Sequence, residues 1–159
     1  MTEPAASRKR VFNGVAELEA AVGEHLGYSS WHEITQERVD RFADATDDHQ
    51  WIHLDVERAA SGPFGGTIAH GVLTISMAPV LMAEIYELSG IAMGINYGSN
   101  KVRFPAPVPV GSRIRAGIEL VAVTPGGPGF QVEWLLTIEI EGGTKPACVA
   151  EFLAVVIPN

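Results

Sequence analysis

A single cysteine, Cys148, stands in 159 residues, which excludes an internal disulfide and fits a reducing cytoplasm. Basic residues are also scarce. Eleven Lys and Arg face nineteen Asp and Glu, for a net charge of −8. No basic tract exists beyond Arg8, Lys9 and Arg10, so nucleic-acid binding finds no support. The body of the chain holds one basic cluster, Lys101, Arg103, Arg113 and Arg115, which reads either as an anion-binding patch or as solvated strand edge. No long hydrophobic run is present. The longest, residues 67–82, is interrupted by His70, Ser76 and Pro79, and is too short and too polar for a membrane span. The first ten residues lack both apolar periodicity and the apolar stretch of a secretion signal. We expect a flexible N-terminus over residues 1–10 and a single domain over 11–159.

What is present suits one soluble domain with a substantial core: 47% of residues are hydrophobic and 19% charged. Val15, Leu18, Val22 and Leu26 recur at helical spacing behind Asn13, predicting a helix over 15–26 that ends at Gly27. Residues 31–34 alternate weakly, as in a short strand. Thr35 then reads as an N-cap, with Ile34 and Val39 as a hydrophobic staple, for a helix running to about Thr46. Asp55 caps a further short helix over 56–60, and the Gly- and Pro-rich run 61–66 is a loop. Residues 68–88 are apolar nearly all round, which predicts a buried helix kinked or broken at Pro79. Five strands follow, over 91–97, 100–104, 113–123, 130–141 and 147–157, joined by Gly/Pro turns of hairpin length. Helices first and hairpin-linked strands afterwards make an α+β fold. A helix apolar on all sides requires a sheet that curves around it.

The densest polar constellation is Asp47-Asp48-His49-Gln50-Trp51-Ile52-His53. A His–Asp pair moves protons near neutral pH. On an ideal helix Asp48 and His53 would point ~140° apart, so they share a site only if the chain turns between them. The plainer alternative is that the aspartates complement helix ends and His53 is a hydrogen-bonded structural residue. His49 and His53 could ligate a metal on a helix, but no third ligand is apparent. The second candidate is Gly66-Thr67-Ile68-Ala69-His70-Gly71, opening the buried helix. Free N–H groups there attract developing negative charge, and Gly71 admits a ligand carbonyl closely. Tight helix–strand packing would explain Gly71 equally well. Ser76 lacks a nucleophile elbow and should bond a backbone carbonyl, and Cys148 should be a small core residue.

The run from Asp48 to His53 resembles the hydratase motif of the MaoC-like dehydratases, the R-specific enoyl-CoA hydratases: Gly-Asp-x-Asn-Pro-(aliphatic)-His before a short helix. Ile68-Ala69-His70-Gly71 resembles that family's helix opening, and residues 100–108 its strand and turn before the last hairpins. Asp47, Gln50 and Trp51 depart from the motif, standing where it has Gly, Asn and Pro. The resemblance implies a hot-dog fold, a long central helix wrapped by a curved antiparallel sheet, and homodimers paired through sheet edges. It implies reversible hydration of trans-2-enoyl-CoA to the (R)-3-hydroxyacyl-CoA, with Asp48 and His53 as acid–base pair and the Gly71 N–H as oxyanion donor. The substrate would be a CoA or acyl carrier protein thioester, with no metal or redox cofactor. His70, Asn100, Lys101 and Arg103 are substrate-binding candidates. A hot-dog thioesterase and a non-catalytic acyl-thioester-binding subunit are the alternatives.

Overall fold

A computed structural model describes residue 6 and residues 8–159. The expectation of a flexible segment over 1–10 therefore falls largely outside the described residues. Arg10, however, already opens β1 (Arg10–Asn13), and Lys9 pairs with Glu87 at 3.1 Å. The chain continues as α1 (Val15–Ala20), β2 (His25–Tyr28), β3 (His32–Glu33), α2 (Gln36–Thr46), α3 (Trp51–Leu54) and α4 (Val56–Ala60). Then come α5 (Gly71–Ser76), α6 (Ala78–Ile85), β4 (Tyr86–Ser89), β5 (Ile91–Arg103), β6 (Arg113–Gly126), β7 (Gly129–Ile140) and β8 (Cys148–Pro158).

Six strands form one antiparallel sheet in the order β2-β6-β7-β8-β5, with β3 also on β6. The alternation in β6 and β7 turns Ile114, Ala116, Ile118, Leu120, Val132, Trp134, Leu136 and Ile138 inward, all essentially fully buried. Leu81, Met82 and Ile85 of α6 and Leu73 of α5 fill the concave side against them. The α+β reading and the wrapped helix are both observed.

Several local expectations hold for the stated reasons. Thr35 caps α2 by accepting from the Arg38 N–H at 3.2 Å, and Ile34 and Val39 are both buried. Asp55 caps α4 through the Arg58 N–H at 3.0 Å. Ser76 Oγ donates to the Val72 carbonyl at 2.6 Å, and Cys148 is wholly buried.

Others are corrected. The first helix ends at Ala20 and has Gly14, not Asn13, at its N-cap; Leu26 lies in β2. The chain leaves the helix because β6 offers better partners: Gly23 N–H donates to the Leu120 carbonyl and Leu120 N–H to that of Glu24. The central helix is shorter than 68–88 and is in two pieces. Residues 67–69 run extended, with Ala69 N–H bonded to the Val108 carbonyl and Val110 N–H to that of Thr67. Met77 separates α5 from α6, and Pro79 sits in the first turn of α6, where its missing N–H costs nothing. The helix is not apolar-buried all round, since Val72 and Val80 are 60% and 57% exposed. β5 is one bulged strand rather than two. β1 and β4 form a separate parallel pair that hairpin reasoning did not foresee.

Candidate active site

The turn that the five-residue separation requires is present. Asp48 follows the end of α2 on an exposed loop, while His53 rides on the single-turn helix α3 and is 6% exposed. The carbonyl of His53 accepts from Gln36 Nε2 at 2.8 Å, and Gln36 Oε1 in turn accepts from Thr67 Oγ1 at 2.7 Å. This tie fixes α3 to α2 and to the extended run before α5. Nothing in the sequence signalled it, because Gln36 lies far from both partners along the chain.

The His53 ring is oriented by its Nδ1, which lies 2.7 Å from the Ile68 carbonyl oxygen. A carbonyl only accepts, so Nδ1 carries the hydrogen and Nε2 keeps its lone pair. Burial pushes the His53 pKa below the usual 6.5, and neighbouring His70 adds to this; the Ile68 carbonyl and the Asp48 carboxylate oppose it without winning. His53 is thus a neutral base near pH 7.

His70 is 3% exposed and stacks on His53, with ring centroids 3.8 Å apart and planes at 25°. Phe42 also packs against it, tilted, centroid to centroid 4.9 Å. Its Nε2 donates to the backbone carbonyl of Asp48 at 3.0 Å, while its buried Nδ1 has no hydrogen-bond partner among the described residues. Asp48, His53 and His70 each offer an oxygen or nitrogen, all within 4.8 Å of one another. That separation suits one water held between carboxylate and imidazole. One nitrogen of each ring is already committed to a backbone carbonyl, His53 Nδ1 to that of Ile68 and His70 Nε2 to that of Asp48. His49 does not join them; it is exposed and bonds Asp44 at 2.9 Å.

Gly71 is the first residue of α5, so its N–H has no acceptor within the helix. A Cβ there would stand 2.9 Å from the Phe104 ring, so the packing explanation for glycine also holds. Beside it opens an apolar cavity of about 360 Å³, whose walls include His53, Phe64, Gly71, Thr74 and Phe104. It places the imidazole and the Gly71 backbone on one hollow. The sequence reading did not single out Phe64 or Thr74. A second apolar hollow, about 290 Å³, lies between α6 and the sheet beside Tyr86 and Trp134. It has no acid–base pair; burial pushes the Tyr86 phenol up to about 12.

The basic cluster does not form one patch. Arg113 pairs with Glu141, while Arg115 is buried, paired with Glu139 and stacked on Tyr28 and Trp31. Asn100, Lys101 and Arg103 are exposed on β5, and the latter two line a shallow surface hollow of about 200 Å³ that His53 does not reach.

The model of the MaoC like domain matches residues 17–134. The chain belongs to the MaoC-like dehydratase family. It is 59% identical over 143 residues to 3-hydroxyacyl-thioester dehydratase Z of Mycobacterium tuberculosis, covering 89% of this chain and 95% of that one. Nodulation protein N of Rhizobium leguminosarum is 41% identical over 148 residues, covering 89% and 90%. Among solved structures, the unliganded R-hydratase PhaJ1 of Pseudomonas aeruginosa superposes with a TM-score of 0.73 at 24% identity, covering 92% and 86%. An (R)-hydratase from A. caviae gives 0.70 at 26% identity, covering 86% and 96%. The hot-dog architecture is therefore shared with R-hydratases.

In this MaoC-like dehydratase the three departures from the motif have physical counterparts. Asp47 takes φ 60° and ψ 17°, a left-handed conformation that glycine enters freely and aspartate tolerates. Gln50 makes no side-chain cap, and Trp51 occupies the first helical position that proline would pre-organise. Packing replaces both: the Trp51 indole lies 3.2 Å from where a Cβ on Gly62 would stand, and the Arg58 guanidinium covers it at 4.1 Å.

Proposed function

We propose that the protein reversibly hydrates trans-2-enoyl thioesters to (R)-3-hydroxyacyl thioesters, and that Asp48 and His53 are its acid–base pair. The observation that carries this is a buried His53, oriented by the Ile68 carbonyl, within water-bridging distance of the Asp48 carboxylate at an apolar cavity. A water held between them gives a proton to His53 Nε2 as its oxygen bonds C3, and that proton is returned through the pair to C2 on the same face, so both parts of the water end on the substrate and the pair is restored. The negative charge gathering on the thioester oxygen is met by the Gly71 N–H. The cavity takes the acyl chain beyond C3. No metal or redox cofactor enters this scheme. The thioester is carried on CoA or an acyl carrier protein, with Lys101 and Arg103 as candidate contacts to its phosphates. Their exposure on β5 leaves them able to meet a bulky carrier.

A homodimer belongs to the same reading. Among the described residues the outer edge of β5 has no strand partner, and Met93, Ile95 and Tyr97 on that strand are 53%, 45% and 65% exposed. Val72 and Val80 add to the uncovered apolar surface. A second copy pairing along this edge would satisfy both its free backbone groups and its side chains.

The test is loss of enoyl absorbance with purified enoyl thioesters of graded chain length, with chiral analysis of the product. Asp48→Asn and His53→Gln should each lower turnover by roughly 10²–10⁴ with the fold intact by circular dichroism. Near-wild-type turnover in either variant would defeat the assignment, and release of free thiol would indicate thioester hydrolysis instead.

A further inference from the structure

The sequence reading placed His70 among residues that touch substrate. We infer instead that His70 is a positioning residue: its stack on His53 and its bond to the Asp48 backbone hold the acid–base pair in register. The inference rests on the proposed hydratase reading and deepens it.

Four features support it. His70 has little surface left for a ligand, being 3% exposed between Phe42 and His53. It is not among the residues lining the cavity that holds His53 and Gly71. Its Nε2–H is a side-chain hydrogen bond that reaches the Asp48 loop, whose carboxylate is otherwise exposed. Its own carbonyl accepts from the Thr74 N–H and hydroxyl, so the ring stands on the anchored start of α5, one residue before Gly71. One side chain therefore braces the loop of the carboxylate, the face of the base and the entry to the oxyanion donor.

The imidazole itself is informative. A phenyl ring would fill the same stack without leaving a buried Nδ1 unpartnered, which is costly. What the imidazole adds is the Nε2–H toward Asp48. The titratable groups facing it are His53 from α3 and Asp48 from the loop; α2 contributes Phe42 and α5 contributes Thr74. Two imidazolium rings at 3.8 Å would repel, so the stack also disfavours protonation of the base.

His70→Phe keeps the stack and removes the donor, whereas His70→Gln keeps an amide donor and removes the ring. The expected result for His70→Phe is a kcat lower by about 10²-fold with KM nearly unchanged, since a misplaced pair loses rate rather than binding. His70→Gln should recover part of that loss. In ¹⁵N-labelled protein, the His53 titration midpoint should rise in His70→Phe, because the neighbouring imidazole that opposes protonation of His53 is gone. A raised KM with kcat retained would overturn the inference in favour of substrate contact. Unchanged kcat and an unchanged His53 midpoint would overturn it in favour of simple packing. The titration needs no turnover. A wild-type chain inactive on every enoyl thioester would therefore defeat the hydratase reading, while an unmoved midpoint would defeat the positioning role.

Discussion

His53 is the residue on which pH acts. Free histidine titrates near 6.5, and burial moves this ring lower, with His70 in support. The base form therefore persists into mildly acid solution. The acid limb of kcat/KM should have its midpoint below 6.5, measured on a short-chain enoyl thioester; a midpoint above it would contradict the buried-base picture. The same shift has a stability consequence. As pH falls below 6.5, the unfolded chain binds a proton that folded His53 resists, so this site favours unfolding progressively down to its folded pKa. Asp47 makes a different point at this scale. The sequence comparison marks it as a mismatch, but the left-handed backbone asks only for a residue that tolerates positive φ, and aspartate is one. The candidacy of Asp48 and His53 for acid–base chemistry was legible in residue type and spacing. The tautomer of His53 was not, because it depends on the Ile68 carbonyl, fifteen residues on.

At the scale of elements, α6 is held to the β2–β3 turn by Glu84. Its carboxylate accepts from the Ser30 N–H at 2.8 Å, the Ser30 hydroxyl at 2.5 Å and His32 Nε2 at 2.5 Å. Serine, histidine and carboxylate meet here without forming a nucleophilic relay, since the same His32 nitrogen faces both Ser30 and Glu84. Burial would raise the Glu84 carboxyl, but the Ser30 and His32 bonds outweigh it and hold the pKa below the usual 4.5. A depressed carboxyl stabilises the fold above its unfolded pKa and loses that contribution as pH falls through its folded value. Glu84→Gln should cost about 1–2 kcal/mol in urea unfolding at neutral pH, and the gap to wild type should close on acidification. Equal stability at neutral pH would show that the clip contributes nothing. Helix α2 and its Thr35 cap were readable because a cap and a staple are local. The break at Met77 was foreshadowed by Pro79, but the early end of α1 was not, since β6 competes for that backbone.

For the molecule as a whole, the open edge of β5 is the feature that one chain leaves unfinished. Exposed Met93, Ile95 and Tyr97 on a long strand paired on one side only, by β8, invite another strand. The protein should sediment as a dimer, and Ile95→Lys should shift it toward monomer while circular dichroism stays unchanged. A monomeric wild type at micromolar concentration would refute the pairing. Ile95 is already 45% exposed within the single chain, so lysine there burdens the interface more than the fold. Among the described residues no helix is long and apolar enough to cross a membrane, which agrees with the broken apolar run at residues 67–82.

The α+β order, the two-residue alternation of β7, the caps at Thr35 and Asp55 and the candidacy of Asp48 and His53 are all properties of the sequence by itself. Each follows from residue type at short spacing, where period, cap chemistry and side-chain pKa act locally. Only the tertiary structure decided that Leu26 joins a strand, that the central helix begins at Gly71 and that Arg113 and Arg115 are neutralised in pairs. It also decided that the His70 ring stacks on His53 and bonds the Asp48 backbone carbonyl. Those outcomes depend on which distant backbone and side-chain groups compete for the same partners, and a linear chain does not state that competition.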